Sequence, residues 1–207
     1  MQITFQGYIP KTIPDRYKKP ESRKETVAVL GSSKSAEEIM DYMEMCANST
    51  RVLVLNGKNM VHGCGSAGIM GEVYRSAYNY SRKNAEGKPV QNLAILAGWP
   101  DEDKKHCIPI AVAKSEADRI EKFAQVADTM LIFPGGAGTL QEAATFISNN
   151  YYGKPENRKK IILVGSNFFK GLVEQYNQLY KAGMIKSKPE ELFTVVDSEK
   201  EIQDIIL

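Results

Sequence analysis

The chain has 207 residues, 43% of them hydrophobic and 25% charged, a composition that suits one globular domain with a sizeable core. Its 27 basic and 25 acidic residues leave a net charge of +2, so no bulk field recruits nucleic acid, and no apolar run approaches the roughly 18 residues of a membrane span. Cys46, Cys64 and Cys107 form no C-x-x-C pair and leave an odd thiol, so neither a disulfide framework nor a zinc site is expected. With no signal-peptide core at the N-terminus, a reducing, cytoplasmic location is the expectation.

Residues 1–25 stand apart. Pro10, Pro14 and Pro20 punctuate them, and Lys11, Arg16, Lys18, Lys19, Arg23 and Lys24 make them basic. They read either as an irregular arm lying over the domain or a neighbouring subunit, or as a solvated leader. Residues 26–207 read as one domain with a regular alternation. Thr26 to Leu30 is an apolar strand ending in Gly31-Ser32-Ser33, and Ala36 to Met45 is a helix with Ile39, Met40, Tyr42 and Met43 on its apolar face. Arg51 to Leu55 is predicted as the next strand, followed by a glycine-rich turn and a helix through about Arg82. Leu93 to Ala97 is a third strand, and the connection from Gly98 to Lys114 is long enough to be functional. A helix from about Ser115 to Ala127 buries Ala117, Ile120, Phe123, Ala124 and Ala127. Strand Met130 to Phe133 is followed by a helix with Leu140, Ala143, Ala144 and Ile147. Strand Ile161 to Val164, helix Phe168 to Lys181, strand Phe193 to Val196 and helix Ser198 to Ile206 complete the chain. Near-continuous apolar strands alternating with helices predict an α/β fold: a Rossmann-like, doubly wound, mostly parallel sheet with helices on both faces. Its ligand is expected at the carboxyl ends of the strands, where the strand order reverses.

The most informative stretch is Pro134-Gly135-Gly136-Ala137-Gly138-Thr139-Leu140-Gln141-Glu142. A glycine loop between a buried strand and a helix lets the backbone approach an anion, and the first helical N–H groups have no internal partner. These residues resemble the P-G-G-x-G-T-x-x-E signature of the LOG (Lonely Guy) proteins, phosphoribohydrolases that cut nucleoside 5′-monophosphates and are often mislabelled lysine decarboxylases. Further matches extend the resemblance over roughly residues 26–196. Gly63-Cys64-Gly65-Ser66-Ala67-Gly68-Ile69-Met70-Gly71 is similar to the family's G-G-G-x-x-G-x-M-G, with Cys64 in place of the middle glycine. That replacement fits if close backbone approach is needed only at Gly63 and Gly65, and is costly if residue 64 takes a positive φ. Gly68 and Gly71 are equally explained by close helix–sheet packing. Gly31-Ser32-Ser33 resembles the family's first-strand G-S-S, although Ser33 or Ser35 could equally cap the helix that follows. Arg119-Ile-Glu-Lys-Phe-Ala-Gln-Val-Ala-Asp128 resembles R-K-x-x-M-x-x-x-[AS]-D, with Ile120 and Phe123 departing from it.

The resemblance implies Arg119 and Glu142 as the catalytic pair. It implies nucleotide contacts from Gly31, Ser32, Gly63, Gly65, Ser66, Gly135, Gly136, Gly138 and Thr139, and a homodimer. The helical pattern alone places Arg119 beside the buried stripe of its helix, where an arginine is ordinarily solvated. The implied chemistry is N-glycosidic hydrolysis of a purine or N6-modified purine nucleoside 5′-monophosphate. A carboxylate near C1′ steadies an oxocarbenium-like ribosyl cation, and a guanidinium binds phosphate or the departing base. No metal or other cofactor is expected: His62 and His106 are isolated and read as structural or exposed, and no lysine stands out for pyridoxal chemistry.

Three readings stay open. Thr139-Leu-Gln-Glu142 also fits a capping box, with Thr139 as N-cap and Glu142 reaching back. Trp99 is a stacking candidate for the base, or packs under its loop. The apolar stretch 146–152 is a contact surface for a second subunit, or packs internally. The alternative function is a non-catalytic carrier of a phosphorylated ligand, since molybdenum-cofactor carriers look similar in fold and glycine motif, as do DNA-processing proteins of the recombination-mediator type.

Overall fold

A computed structural model of the chain describes residues 9–19, 24–81, 90–99 and 102–207. The rest of the predicted arm and the expected helix end near Arg82 lie outside the described residues. In chain order the elements are α1 (Asp15–Lys18), β1 (Thr26–Leu30), α2 (Met40–Leu55), β2 (Asn59–His62), α3 (Gly68–Ser81), β3 (Asn92–Leu96) and β4 (Ile108–Val112). There follow α4 (Glu116–Val126), β5 (Thr129–Ile132), α5 (Ala137–Tyr152), β6 (Lys160–Val164), α6 (Lys170–Lys181), β7 (Thr194–Val196) and α7 (Glu199–Ile206). The seven strands form one sheet in the order β4-β3-β2-β1-β5-β6-β7, with every pairing parallel. This is the expected α/β, Rossmann-like architecture.

Alternation along the strands divides the interior in two. Ala28, Leu30, Val61, Leu93, Ile95, Met130, Ile132, Ile161 and Leu163 face one layer with Ile120, Phe123, Phe146 and Ile147. Val27, Val29, Met60, Leu131, Phe133, Ile162 and Val164 face the other with Leu53, Ile69, Val73, Ile202 and Ile206. A strand has period 2, so each central strand contributes to both layers, which is why its sequence is apolar throughout.

Two elements depart from expectation. Residues 51–55, predicted as a strand, are the last turns of α2. Cys46, Ser49, Thr50, Leu53 and Val54 are its buried positions, spaced three or four apart, so the β-branched run is read out with the helical period. The helix stops in a Schellman motif: Gly57, at φ 83°, donates to the Val54 carbonyl, and Lys58 donates to that of Leu53, each at 3.0 Å. The second strand follows immediately, at Asn59–His62. The other departure is β4, which lies within the long connection. Pro109 argues against a strand in the sequence, yet β4 is the edge of the sheet, where a missing ladder N–H is tolerated. The β3–β4 register slips between Ala94 and Ile95.

The described part of the N-terminal segment lies against this edge. The Val112 amide donates to the Pro10 carbonyl at 3.0 Å, and Ile13 and Tyr17 are buried in the layer that contains α4. The structure also brings the sulfurs of Cys64 and Cys107 together, with their Cα atoms 7.4 Å apart, wider than the usual disulfide span; no spacing in the sequence signals this approach. Only the fold reveals that the connection before β4 crosses the carboxyl end of β2, where the Asp103 amide donates to the Cys64 carbonyl at 2.9 Å. Cys46 remains a buried free thiol. Among the described residues no helix is long and apolar enough to cross a membrane.

Candidate functional site

The strand order reverses between β1 and β5, and the loops after these two strands meet. The Phe133 amide donates to the Leu30 carbonyl at 2.9 Å, and the Ser32 amide donates to the Pro134 carbonyl at 3.0 Å. With the loop after β2 they enclose a cavity of about 350 Å³. Its lining includes Gly31, Ser32, Gly63, Gly65, Gly136, Gly138, Thr139, Arg119 and Glu142. Two residues of the expected set, Gly135 and Ser66, do not line it. Gly135 is a contact point between loops: a Cβ there would stand 2.8 Å from the Ser32 amide nitrogen and overlap the Thr139 hydroxyl. Ser66 is exposed, and its carbonyl accepts from Arg75 Nη1 at 3.0 Å.

The anion-binding feature is the start of α5. Its N-cap is Gly136, with no side chain capping it. The Leu140 amide, bonded to the Gly136 carbonyl at 3.1 Å, closes the first turn, leaving Ala137, Gly138 and Thr139 ahead of it without helical acceptors. This corrects the capping-box reading. Thr139 is the third helical residue, and Glu142 lies a turn deeper, so neither can do the work of a cap. The hydroxyl expected to cap the helix after β1 also acts elsewhere: Ser35 Oγ accepts the Gly68 amide at 3.2 Å, at the start of α3. Ser32 is spent on its own loop, since its hydroxyl donates to the Lys34 carbonyl at 2.8 Å and accepts the Lys34 amide at 3.1 Å. It shapes the cavity without a free donor.

Arg119 is 6% exposed and therefore within the buried surface of α4, while Ala117 is exposed. The helical pattern alone inverts these two because Arg119 turns to backbone carbonyls at the carboxyl ends of β2 and β3. Its Nε donates to the Ile95 carbonyl at 3.3 Å and its Nη2 to the Gly63 carbonyl at 3.1 Å. Nη1 lies 3.9 Å from Glu116. The guanidinium sits 4.9 Å from the centre of the Trp99 ring and 5.9 Å from that of Phe123, so it is stacked as well as bonded. A Cβ at Gly63 would overlap the guanidinium; glycine is required there for this approach.

Glu142 is half-buried on the same cavity. Burial pushes its carboxyl up to about 7, opposed by Arg119 and assisted by the charge of Glu116. It is a carboxylic group poised near neutrality beside a fixed cation. The cavity wall also contains residues that the sequence left unassigned. Glu102 accepts the amides of Ala97 and of Gly98, the latter at 2.9 Å, holding the loop that carries Trp99. Glu116 presents a second carboxylate. A spacing of three from Arg119 on a helix was the available signal for Glu116; none was available for Glu102. Trp99, 47% exposed, lines the cavity with one face on Arg119. Of the stretch proposed as a contact surface, Phe146 and Ile147 are buried and Tyr152 is 85% exposed. Among the described residues no three His, Cys, Asp or Glu side chains gather as a metal site.

Comparison with known proteins agrees with this geometry at the level of the family. A sequence profile for the family described as "Possible lysine decarboxylase" matches residues 58–206. A curated rice protein (Oryza sativa subsp. japonica), named "Probable cytokinin riboside 5'-monophosphate phosphoribohydrolase LOG4", is 24% identical over 151 residues. These are 72% of this chain, and the match spans 63% of the rice protein's length. Among solved structures, the molybdenum cofactor binding protein from Rippkaea orientalis superposes with a TM-score of 0.61 at 17% identity, covering 89% of this chain and 96% of that one. The molybdenum cofactor carrier protein from Chlamydomonas reinhardtii gives 0.58 at 17% identity, covering 88% and 96%. These two similarities establish a shared fold. The chain belongs to the possible-lysine-decarboxylase, or LOG, family.

Proposed function

We propose that the protein hydrolyses the N-glycosidic bond of a purine or N6-modified purine nucleoside 5′-monophosphate, releasing free base and ribose 5-phosphate. The observation that supports this most is Glu142: a carboxyl group facing the cavity with no capping duty, beside a buried arginine and below three uncapped helix amides. A carrier needs the amides; it has no use for a carboxyl group held near neutrality.

In this reading the phosphate lies on the amides of Ala137, Gly138 and Thr139, where the helix dipole favours negative charge. The C1′–N9 bond breaks with its electron pair leaving on the base, and water adds to C1′. Ionised Glu142 stabilises the positive charge developing on the ribose and takes a proton from the attacking water; a proton reaches the departing base, and the balance is water consumed, base and ribose 5-phosphate formed. Arg119 supplies fixed positive charge, with its orientation set by the Gly63 and Ile95 carbonyls. The rice relative's name specifies a cytokinin riboside 5′-monophosphate, and purine nucleotides are the class carried over here. A decarboxylase reading would require pyridoxal phosphate on a lysine. The lining residues do not fit it, because their one lysine, Lys34, is exposed on the loop after β1.

The second reading, a carrier of a phosphorylated ligand, is favoured by one feature: the two Arg119 donors described above are taken by protein carbonyls, as they would be in a purely structural arginine. The two readings separate in a single experiment. Incubation with a panel of nucleoside monophosphates, followed by chromatography, yields free base for the enzyme and unchanged nucleotide for the carrier.

A further inference from the structure

The loop that fixes Arg119 contains an unusual residue. Cys64, at φ 58°, is the one non-glycine residue with positive φ among the described residues, a conformation in which Cβ crowds the following carbonyl oxygen. It lies between Gly63, whose carbonyl holds Arg119, and Gly65, which lines the cavity. Its sulfur meets that of Cys107, its carbonyl accepts the Asp103 amide at 2.9 Å, and its own amide is held as well. The Cys64 amide donates to His62 Nδ1 at 3.0 Å, and the opposite ring nitrogen, Nε2, is 2.7 Å from Asn92 Oδ1. Asn92 Nδ2 in turn donates to the His106 carbonyl at 2.9 Å, which fixes its amide with the oxygen toward the histidine. Since a backbone amide can only donate, Nδ1 must be the acceptor and Nε2 must carry the proton. His62 is 0% exposed. Burial, with help from the Arg119 charge, lowers it to about 4, against the pull of Asn92, so the acceptor persists at neutral pH.

We propose that His62 is a positioning residue: by accepting the Cys64 amide it holds a non-glycine residue in the left-handed conformation, and so keeps the Gly63 carbonyl where it orients the Arg119 guanidinium. The consequence for turnover rests on the phosphoribohydrolase reading; the consequence for Arg119 does not. His62 touches no substrate in this scheme. It acts through two backbone groups, from the end of β2 to the side chain of α4.

The first test is made on the unaltered protein. Isotope-edited imidazole correlations are expected to give His62 as the Nε2–H tautomer, with no titration between about pH 5 and 8. An Nδ1–H tautomer or an imidazolium in that range overturns the proposal. The second uses His62→Phe, which keeps a ring and removes both nitrogens. The Arg119 Nε–H signal, expected to exchange slowly in the parent because it is buried and bonded to the Ile95 carbonyl, should exchange at least about tenfold faster. Adenine release from AMP should slow by about 10²-fold with KM little changed, the signature of a misplaced group. Adding Cys64→Gly should restore both to the level of Cys64→Gly alone, which also lacks the Cys107 contact, because glycine adopts positive φ unaided. A folded His62→Phe that keeps the parent's Arg119 signal overturns the proposal, as does a double variant no better than His62→Phe alone. If His62→Phe does not fold, the tautomer of the parent still decides. If the parent does not cleave AMP, the enzymatic reading fails, while the imidazole and guanidinium signals still judge the role of His62.

Discussion

At the scale of single residues, Glu142 has the most to reveal. Its carboxyl group is held at about 7 against an ordinary 4.5, mainly by burial. With the folded pKa raised, the neutral acid favours the folded state fully below about 4.5, and that contribution is lost as pH rises through about 7. Ionising it within the fold costs up to about 3 kcal/mol by about pH 8. Glu142→Gln, which is neutral at every pH, should therefore melt above the parent at about pH 8 and close to it at about pH 4. Calorimetric melts at the two values check this, and a difference that does not change with pH would contradict it. The same group sets the rate. If the ionised form is the catalyst, kcat/KM for AMP should climb through about pH 7 to a plateau. A profile that falls above that value would instead make Glu142 the acid that protonates the base. The burial of Arg119 was illegible in sequence for a related reason. Its partners are carbonyls 56 and 24 residues away, and a carbonyl is offered by any residue type, so no pattern marks it.

At the scale of elements, the start of α5 makes the site. The strand before it and the glycines after it were legible because a buried apolar run and a break to glycine are local signals. The true N-cap was not: Gly136 and Thr139 both make acceptable caps, and only the close approach of the two loops at Gly135 chooses between them. Two substitutions separate packing from binding. Gly135→Ala drives a methyl group against the Ser32 amide and the Thr139 hydroxyl and should destabilise the protein by about 1–3 kcal/mol. At Gly136 a Cβ meets nothing within 4 Å, so Gly136→Ala should melt within about 1 kcal/mol of the parent. Its methyl group stands at the cavity, and AMP binding by calorimetry should weaken about tenfold, or 1.4 kcal/mol. Equal effects of the two substitutions on stability would place the loops differently. The misread turn at 51–55 and the overlooked β4 have a common cause. In both, tertiary position outweighs local preference: α2 packs on α3, and an edge position excuses Pro109.

At the scale of the whole molecule, alternating apolar strands and helices made a parallel α/β sheet legible, and the rules of connection leave few topologies without choosing the strand order. What those rules omit is which loops meet. The juxtaposition of β1 and β5 brings Gly31 and Ser32 to the start of α5, although about a hundred residues of chain lie between them. We propose a homodimer on the basis of the family, with Tyr152 at the exposed end of α5 as one candidate contact. Light scattering at micromolar concentration should then give about twice the chain mass of 23.1 kDa, and a value equal to the chain mass would contradict it. The central claim is tested most directly by quantifying adenine and ribose 5-phosphate after incubation of the protein and its Glu142→Gln variant with AMP. The account predicts the two products in equal amounts from the parent, and release at least about 10²-fold slower from a variant that still binds AMP. A parent that binds AMP and returns it intact, or a variant that turns over at the parent's rate, would contradict it.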